Sequence, residues 1–367
     1  MARLEVKGLS FTYPGAKNAT LTDINFHVPK GKSLALLGSS GAGKTTLLNL
    51  LSGLLPCSRG SICFDGEDFS QRIAGERKVA QVFQFPVMYE SLSAAENIAF
   101  PLRTLGVRGT ERKRRAAEVA ELFGLSEVLD RKPRDLSLFQ KQLVGFAKAL
   151  VRDDLAMVLL DEPLTAVEPA MKWRLRGTVK RAQAEMDTTM VYVTHDQTEA
   201  LTFADEVSVL HGGRLLQTGT SQELYEQPAH AEVARFIGNP GMNLVSAEVI
   251  DGSLSLDGQA VFGNAQQLPQ GALQVGFRPE WGRLVDRQQV GQGKVRSLLS
   301  APVTLLGTRL TGADAGVAMG VARVTLGEST AQVICELGSH LDKPLQLQLE
   351  RYELFCDGHR VTEGLDS

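Results

Sequence analysis

The stretch that most restricts what this chain can fold into is "GSSGAGKT", Gly38 to Thr45. It follows the apolar run "KSLALLG" (Lys32 to Gly38) and opens the helically spaced run "GKTTLLNLLSGL". The pattern G-x-x-x-x-G-K-[ST] between a strand and a helix is built for a phosphate tail. Concentrated negative charge calls for several backbone N–H groups with no Cβ in the way, which glycine supplies. The helix that starts near Lys44 adds the positive end of its dipole. Gly38, Ser39, Ser40, Gly41, Ala42, Gly43, Lys44, Thr45 and Thr46 are therefore the candidate nucleotide ligands. Lys44 would reach the β and γ phosphates, and the Thr45 hydroxyl would ligate Mg²⁺.

Such a loop needs a parallel sheet behind it. "LAMVLLDEP" (Leu155 to Pro163) and "TTMVYVTHD" (Thr188 to Asp196) are β-rich and too apolar to face water on either side, as central parallel strands are. Asp161 ends the first of these runs, which places its carboxylate at the carboxyl edge of the sheet. There it would hold Mg²⁺, and Glu162 beside it would polarise an attacking water. Gln84, in "QVFQFP", ends another β-type run and would contact the metal or that water. His195 ends the strand after the carboxylates and would hydrogen-bond the γ-phosphate, and Tyr13, in "FTYPG", would stack on an adenine.

At 367 residues the chain is long for one domain. Residues 1–238 read as an α/β unit with a helical region over about 86–153, where Ala116, Val119, Ala120 and Phe123 share one face. The basic cluster Arg112 to Arg115 reads as the solvated side of that helix. Asn239, Pro240 and Gly241 mark a boundary. Over 239–367 the text becomes short β-type runs: "NLVSAEVI", "GALQVGF", "KVRSLLSAPVTLL", "GVARVTL" and "PLQLQLE". They suggest a small antiparallel β-barrel, OB-like, or a pair of barrels. A net charge of −3 offers no general attraction to nucleic acid or anionic lipid. No apolar run approaches the ~20 residues of a spanning helix, and "MARLEVKGLSF" lacks a secretory pattern. The expectation is a cytoplasmic chain whose membrane role comes through partners, with Cys57, Cys63, Cys335 and Cys356 as plain thiols.

Gly38–Thr45, Gln84, Leu136–Gln140, Asp161–Glu162 and His195, in that order, resemble the nucleotide-binding subunit of an ABC transporter. "VGFRPEW", Val275 to Trp281, is similar to a segment in the C-terminal regulatory barrel of carbohydrate-importer ATPases of the maltose and glycerol-phosphate type. Ala80 to Arg103 resembles the matching stretch of glycerol-importer ATPases. The resemblance implies a P-loop NTPase cassette that binds ATP and Mg²⁺ and works in a pair. Each ATP would lie between one subunit's phosphate loop and the other's signature segment. It also implies two membrane permease subunits, met by Phe85 to Phe100, and indirectly a solute-binding protein. The chain would then sit at the inner face of the cell membrane.

The signature departs from the family. L-S-G-G-Q is expected, and Leu136-Ser137-Leu138-Phe139-Gln140 is present. Ser137 and Gln140 remain as candidate ligands of a partner's ATP, whereas the glycines that admit close backbone approach are gone. Where the family has S-A-L-D, this chain has Thr165-Ala166-Val167-Glu168. The expectation is a heterodimer whose sister cassette supplies an intact signature. The alternatives are a homodimer, or a subunit that binds ATP with little hydrolysis of its own. A nucleic-acid-associated ATPase of the same superfamily fits less well, because the chain has no long coiled coil or second cassette.

Overall fold

The computed structural model describes residues 1–256, 259–263, 268–286, 299–314, 317–326, 328–338, 341 and 344–361. The chain forms two compact units, Met1–Ser221 and Gln222–Ser367. In the first, the strands are β1 (Leu4–Phe11), β2 (Leu21–Val28), β3 (Ser33–Leu37), β4 (Arg59–Phe64), β5 (Glu67–Asp68), β6 (Val79–Val82), β7 (Met157–Asp161), β8 (Met190–Thr194), β9 (Glu206–His211) and β10 (Arg214–Gly219). Its helices are α1 (Lys44–Ser52), α2 (Ala94–Thr104), α3 (Gly109–Leu122), α4 (Leu138–Leu150), α5 (Pro169–Glu185) and α6 (Gln197–Phe203).

The main sheet runs β10-β9-β3-β8-β7-β6. Its inner pairings β9–β3, β3–β8, β8–β7 and β7–β6 are parallel. Alternation in the two central strands divides their side chains between two cores. Met157, Leu159, Val191 and Val193 pack with Leu47, Leu48 and Leu51 of α1 on one face. Val158, Leu160, Met190 and Tyr192 pack with the helical region on the other. Side chains that alternate in direction and meet apolar partners on both faces are why these runs look continuously hydrophobic. A smaller antiparallel sheet, β2-β1-β4-β5, contributes to the α1 side of the core. The fully buried Arg77 holds the end of α1, donating to Leu50 O and, at 3.1 Å, to Leu51 O.

The helical region is α2, α3 and α4. Ala116, Val119, Ala120 and Phe123 are buried there against Leu143, Phe146, Ala147 and Leu150 of α4. The basic cluster on α3 is matched along its own helix. Arg114 pairs with Glu111 at 2.6 Å and Glu118 at 2.5 Å, and Arg115 pairs with Glu111 at 2.7 Å. Among the described residues no helix is long and apolar enough to cross a membrane.

The second unit begins with α7 (Ser221–Glu226) at the junction and α8 (Ala231–Phe236). Its strands are β11 (Asn243–Ile250), β12 (Ser253–Leu256), β13 (Gln259–Gly263), β14 (Leu273–Phe277), β15 (Gly282–Asp286), β16 (Leu299–Asp314), β17 (Val317–Leu326), β18 (Ser329–Glu336), β19 (Leu345–Leu349), β20 (Glu353–Cys356) and β21 (His359–Arg360). The first five residues of "KVRSLLSAPVTLL" lie outside the described residues. The strands form two sheets, β13-β12-β11-β14-β20-β21 and β15-β19-β16-β17-β18, on one shared core. The described pairings there are antiparallel throughout.

The units divide ahead of the Asn239-Pro240-Gly241 stretch, because the buried Arg278 of "VGFRPEW" ties the two short helices to the β-sheets. Its guanidinium donates to Tyr225 O at 2.8 Å, Ala234 O at 3.2 Å and Ile237 O. It also lies over the Tyr225 ring, 4.0 Å from the centroid. Replacing Arg278 by Met removes the donor from three carbonyls and is expected to cost about 2–4 kcal/mol. Urea unfolding of the full chain should show the loss in the second unit's transition, with the first unit's midpoint unmoved.

Candidate functional site

Strand register creates the site. Leu37 is level with Thr194, Val193 with Asp161, and Leu160 with Val82. The chain leaves β3 as the Gly38 loop, β8 as His195, and β7 as Glu162, so all three emerge at one sheet edge. Gln84 lies two positions beyond the end of β6 rather than at its end, next to β7 on the same edge.

The loop is shaped by close packing. A Cβ on Gly38 would stand 2.3 Å from Leu210 O, so only glycine fits there. Gly43 caps α1 with φ 104°, a conformation that favours glycine, and it offers no side-chain cap. The first amides of α1 are thus left without an intrahelical or capping partner, the arrangement that receives anions at a helix start. Lys44 is buried at 6 % exposure and its ammonium rests on the loop's own carbonyls, Gly38 O and Ser39 O, each at 2.9 Å. Burial pulls the lysine pKa down, opposed by the charges of Glu162 and Asp161. Thr45 is exposed in the first turn, and the Tyr13 hydroxyl is 3.2 Å from Thr46 Oγ1.

Across the sheet edge, burial pushes the Asp161 carboxyl pKa up, helped by Glu162 and countered by Lys44. Glu162 has φ 45°, in the left-handed region. That conformation costs about 1–2 kcal/mol for a side chain of this size, and its N–H bond to Val193 O at 2.9 Å holds it. The turn aims the carboxylate at His195, whose Nδ1 is 3.1 Å from Glu162 Oε2. Thr165 Oγ1 donates to the same oxygen at 3.2 Å. A buried ammonium, helix-start amides, a hydroxyl and hard carboxylate oxygens together suit a magnesium-bound polyphosphate.

Ser137 and Gln140 stand elsewhere, at the start of α4, and are joined to each other. Gln140 N donates to Ser137 Oγ at 3.2 Å and Ser137 N donates to Gln140 Oε1 at 3.0 Å. This reciprocal cap satisfies two orphan donors of the helix. Leu138 and Phe139 occupy its first turn. Phe139 turns toward the helical core, and Leu138 stays 44 % exposed.

Two residues that meet the site were given no site role by the sequence reading. Thr165 is one. The other is Gln142, buried at 1 % exposure, which donates to Phe83 O at 3.2 Å and Pro163 O at 2.8 Å. It thereby ties the segment beside Gln84 to the turn after Glu162. An amide within the apolar stripe of α4 was the available signal.

Comparison with known proteins places the chain in a family. The ABC transporter family pattern matches residues 21–165. The trehalose import ATP-binding protein SugC of Mycobacterium tuberculosis is 38 % identical over 76 % of this chain and 70 % of that protein. The sn-glycerol-3-phosphate import ATP-binding protein UgpC of Chromohalobacter salexigens is 36 % identical over 83 % of this chain and 81 % of its own length. The chain belongs to the ABC transporter family. It is an ABC ATPase, a nucleotide-using enzyme coupled to transport. A solved structure of cbiO1 from Clostridium perfringens, part of the ABC transporter complex cbiONQ, matches with a TM-score of 0.57 and 26 % identity. That match covers 61 % of this chain and 90 % of the solved one.

A stability consequence follows from Asp161. A carboxyl that ionises less readily when folded costs stability as pH rises through its folded pKa, and costs none below the ordinary aspartate value of about 3.9. Asp161→Asn in the nucleotide-free ABC ATPase should therefore raise the thermal midpoint at pH 7 by roughly 1–3 °C. The gain should vanish below about pH 4, while ATP turnover is lost.

Proposed function

We propose that this subunit hydrolyses ATP with Mg²⁺ to drive import of a small carbohydrate or polyol, glycerol being the candidate solute. It would work as one of two cassettes at the inner, cytoplasmic face of the cell membrane. The observation that carries the reading is the Glu162–His195 contact at 3.1 Å, beside the buried Lys44 at level strand ends.

In this reading the loop Gly38–Thr46 and Lys44 hold the phosphate tail, and Tyr13 faces the base. Thr45, Asp161 and Gln84 are the residues that would hold Mg²⁺, which neutralises charge on the phosphates when bound. Glu162 orients the attacking water and accepts its proton, while His195, steadied by Glu162, donates to the γ-phosphate. The relatives named for trehalose and sn-glycerol-3-phosphate import support a polyhydroxyl solute. The resemblance of Ala80–Arg103 supports glycerol. Phe85 and Val87, 65 % and 62 % exposed next to Gln84, suit an apolar contact with a permease subunit, and through it an indirect link to a solute-binding protein.

The pair is proposed to be a heterodimer. Leu138 projects from the helix end that a partner's ATP would approach, so the site completed by this segment is the weaker one. A homodimer with two such sites is the alternative, and ATP binding with little hydrolysis is the other.

Two measurements test the reading. Glu162→Gln should lower ATP turnover about 100-fold or more while nucleotide binding persists; unchanged turnover would remove Glu162 from its role. Replacing Leu138 and Phe139 by glycine in the assembled transporter should raise turnover several-fold. No rise, and no gain in nucleotide-driven closure, would count against obstruction by these side chains.

A further inference from the structure

One buried acid near the site has no part in the hydrolytic chemistry described so far. Glu199 of α6 is 3 % exposed, and its two oxygens join its helix to two other elements, β8 and α5. Oε2 accepts from Tyr192 Oη at 2.8 Å and from Thr194 Oγ1 at 3.0 Å, both on β8. Oε1 accepts from Lys172 Nζ of α5 at 2.9 Å. The Thr194 hydroxyl in turn accepts from Asp196 N at 3.0 Å, and Asp196 Oδ1 accepts from Glu199 N at 3.1 Å. His195 is therefore flanked on both sides by residues that Glu199 or its helix holds.

The Lys172 arm leads back to the site. Lys172 N donates to Glu168 O at 3.2 Å, anchoring α5 to the end of the Thr165–Glu168 segment. At its other end, Thr165 donates to Glu162 Oε2, and His195 meets that same oxygen at 3.1 Å. The contacts close a ring: His195, Glu162, Thr165, Glu168, Lys172, Glu199, Thr194 and back to His195. Every link is a short polar contact or a stretch of main chain. A buried ion pair by itself gives little net stability, so this one is better explained by fixing register between elements.

We infer that Glu199 is a positioning residue that locks His195 and Glu162 to the Thr165–Glu168 segment. A shift of that segment is then felt at the hydrolytic pair. The inference rests on the proposed roles of Glu162 and His195, and it extends them to regulation by whatever meets Thr165–Glu168.

The test uses the full chain. Glu199→Gln keeps the size of the side chain and removes its charge. It should lower kcat about tenfold, with KM for ATP unchanged within about twofold and the thermal midpoint preserved. Lys172→Met should lower kcat likewise, here with a lowered thermal midpoint because the Glu199 carboxylate is left buried without its cation. Combining the two should lower kcat little further, because both cut one link. Amide exchange in the nucleotide-free chain supplies the second readout: protection should fall together over 165–171 and 194–196. A fall confined to α6, an unaltered kcat, or loss of ATP binding with a lowered thermal midpoint would each overturn the inference. If the unsubstituted chain turns over no ATP, the proposed function fails, and the exchange pattern alone decides the ring.

Discussion

The chemistry of this chain depends on the parallel pairing of β3 with β8 and of β8 with β7. Parallel strands all point their carboxyl ends the same way, and the observed register brings those ends level. Residues more than a hundred positions apart in sequence then leave the sheet side by side. A register slip of one residue in β7 would turn Asp161 to the opposite face and reverse which core each of its apolar side chains meets. The slip is opposed by the close fit of these particular side chains to their own core on each face.

On this edge, strain and burial are used where function needs them. Glu162 occupies a backbone conformation that suits glycine, and main-chain bonds to Val193 O on β8 and from Thr165 N keep it there. Lys44 and Asp161 are both held where ionisation is disfavoured, each partly relieved by the other. Opposed charges kept apart from water are poised for a ligand that carries both signs, as a metal-bound phosphate does.

The sequence made legible whatever depends on local periodicity. The runs around Leu34, Leu159 and Val191 announced buried parallel strands, and the faces of α3 and α4 followed from their spacing. It was less informative where partners are distant in sequence. The alternation after residue 239 indicated antiparallel strands, yet their grouping into two sheets rests on pairings such as β14 with β20 and β15 with β19. Arg278 draws α8 into the second unit across some forty residues, and no composition shift announces such a bond. At Ser137 the difficulty was of another kind. Serine and glutamine at that spacing satisfy both a nucleotide-binding pattern and a helix cap, and the sequence alone does not separate the two.

The cap at Ser137 leaves a directional residue of its own. Its oxygen receives the amide of Gln140, and a hydroxyl that accepts along one lone pair still has its hydrogen to give. The glutamine is turned back on the main chain, so its carbonyl is spent inside the helix terminus. What this end of α4 presents outward is the Ser137 hydroxyl hydrogen beside an exposed leucine, together with the first-turn amides that the cap does not use.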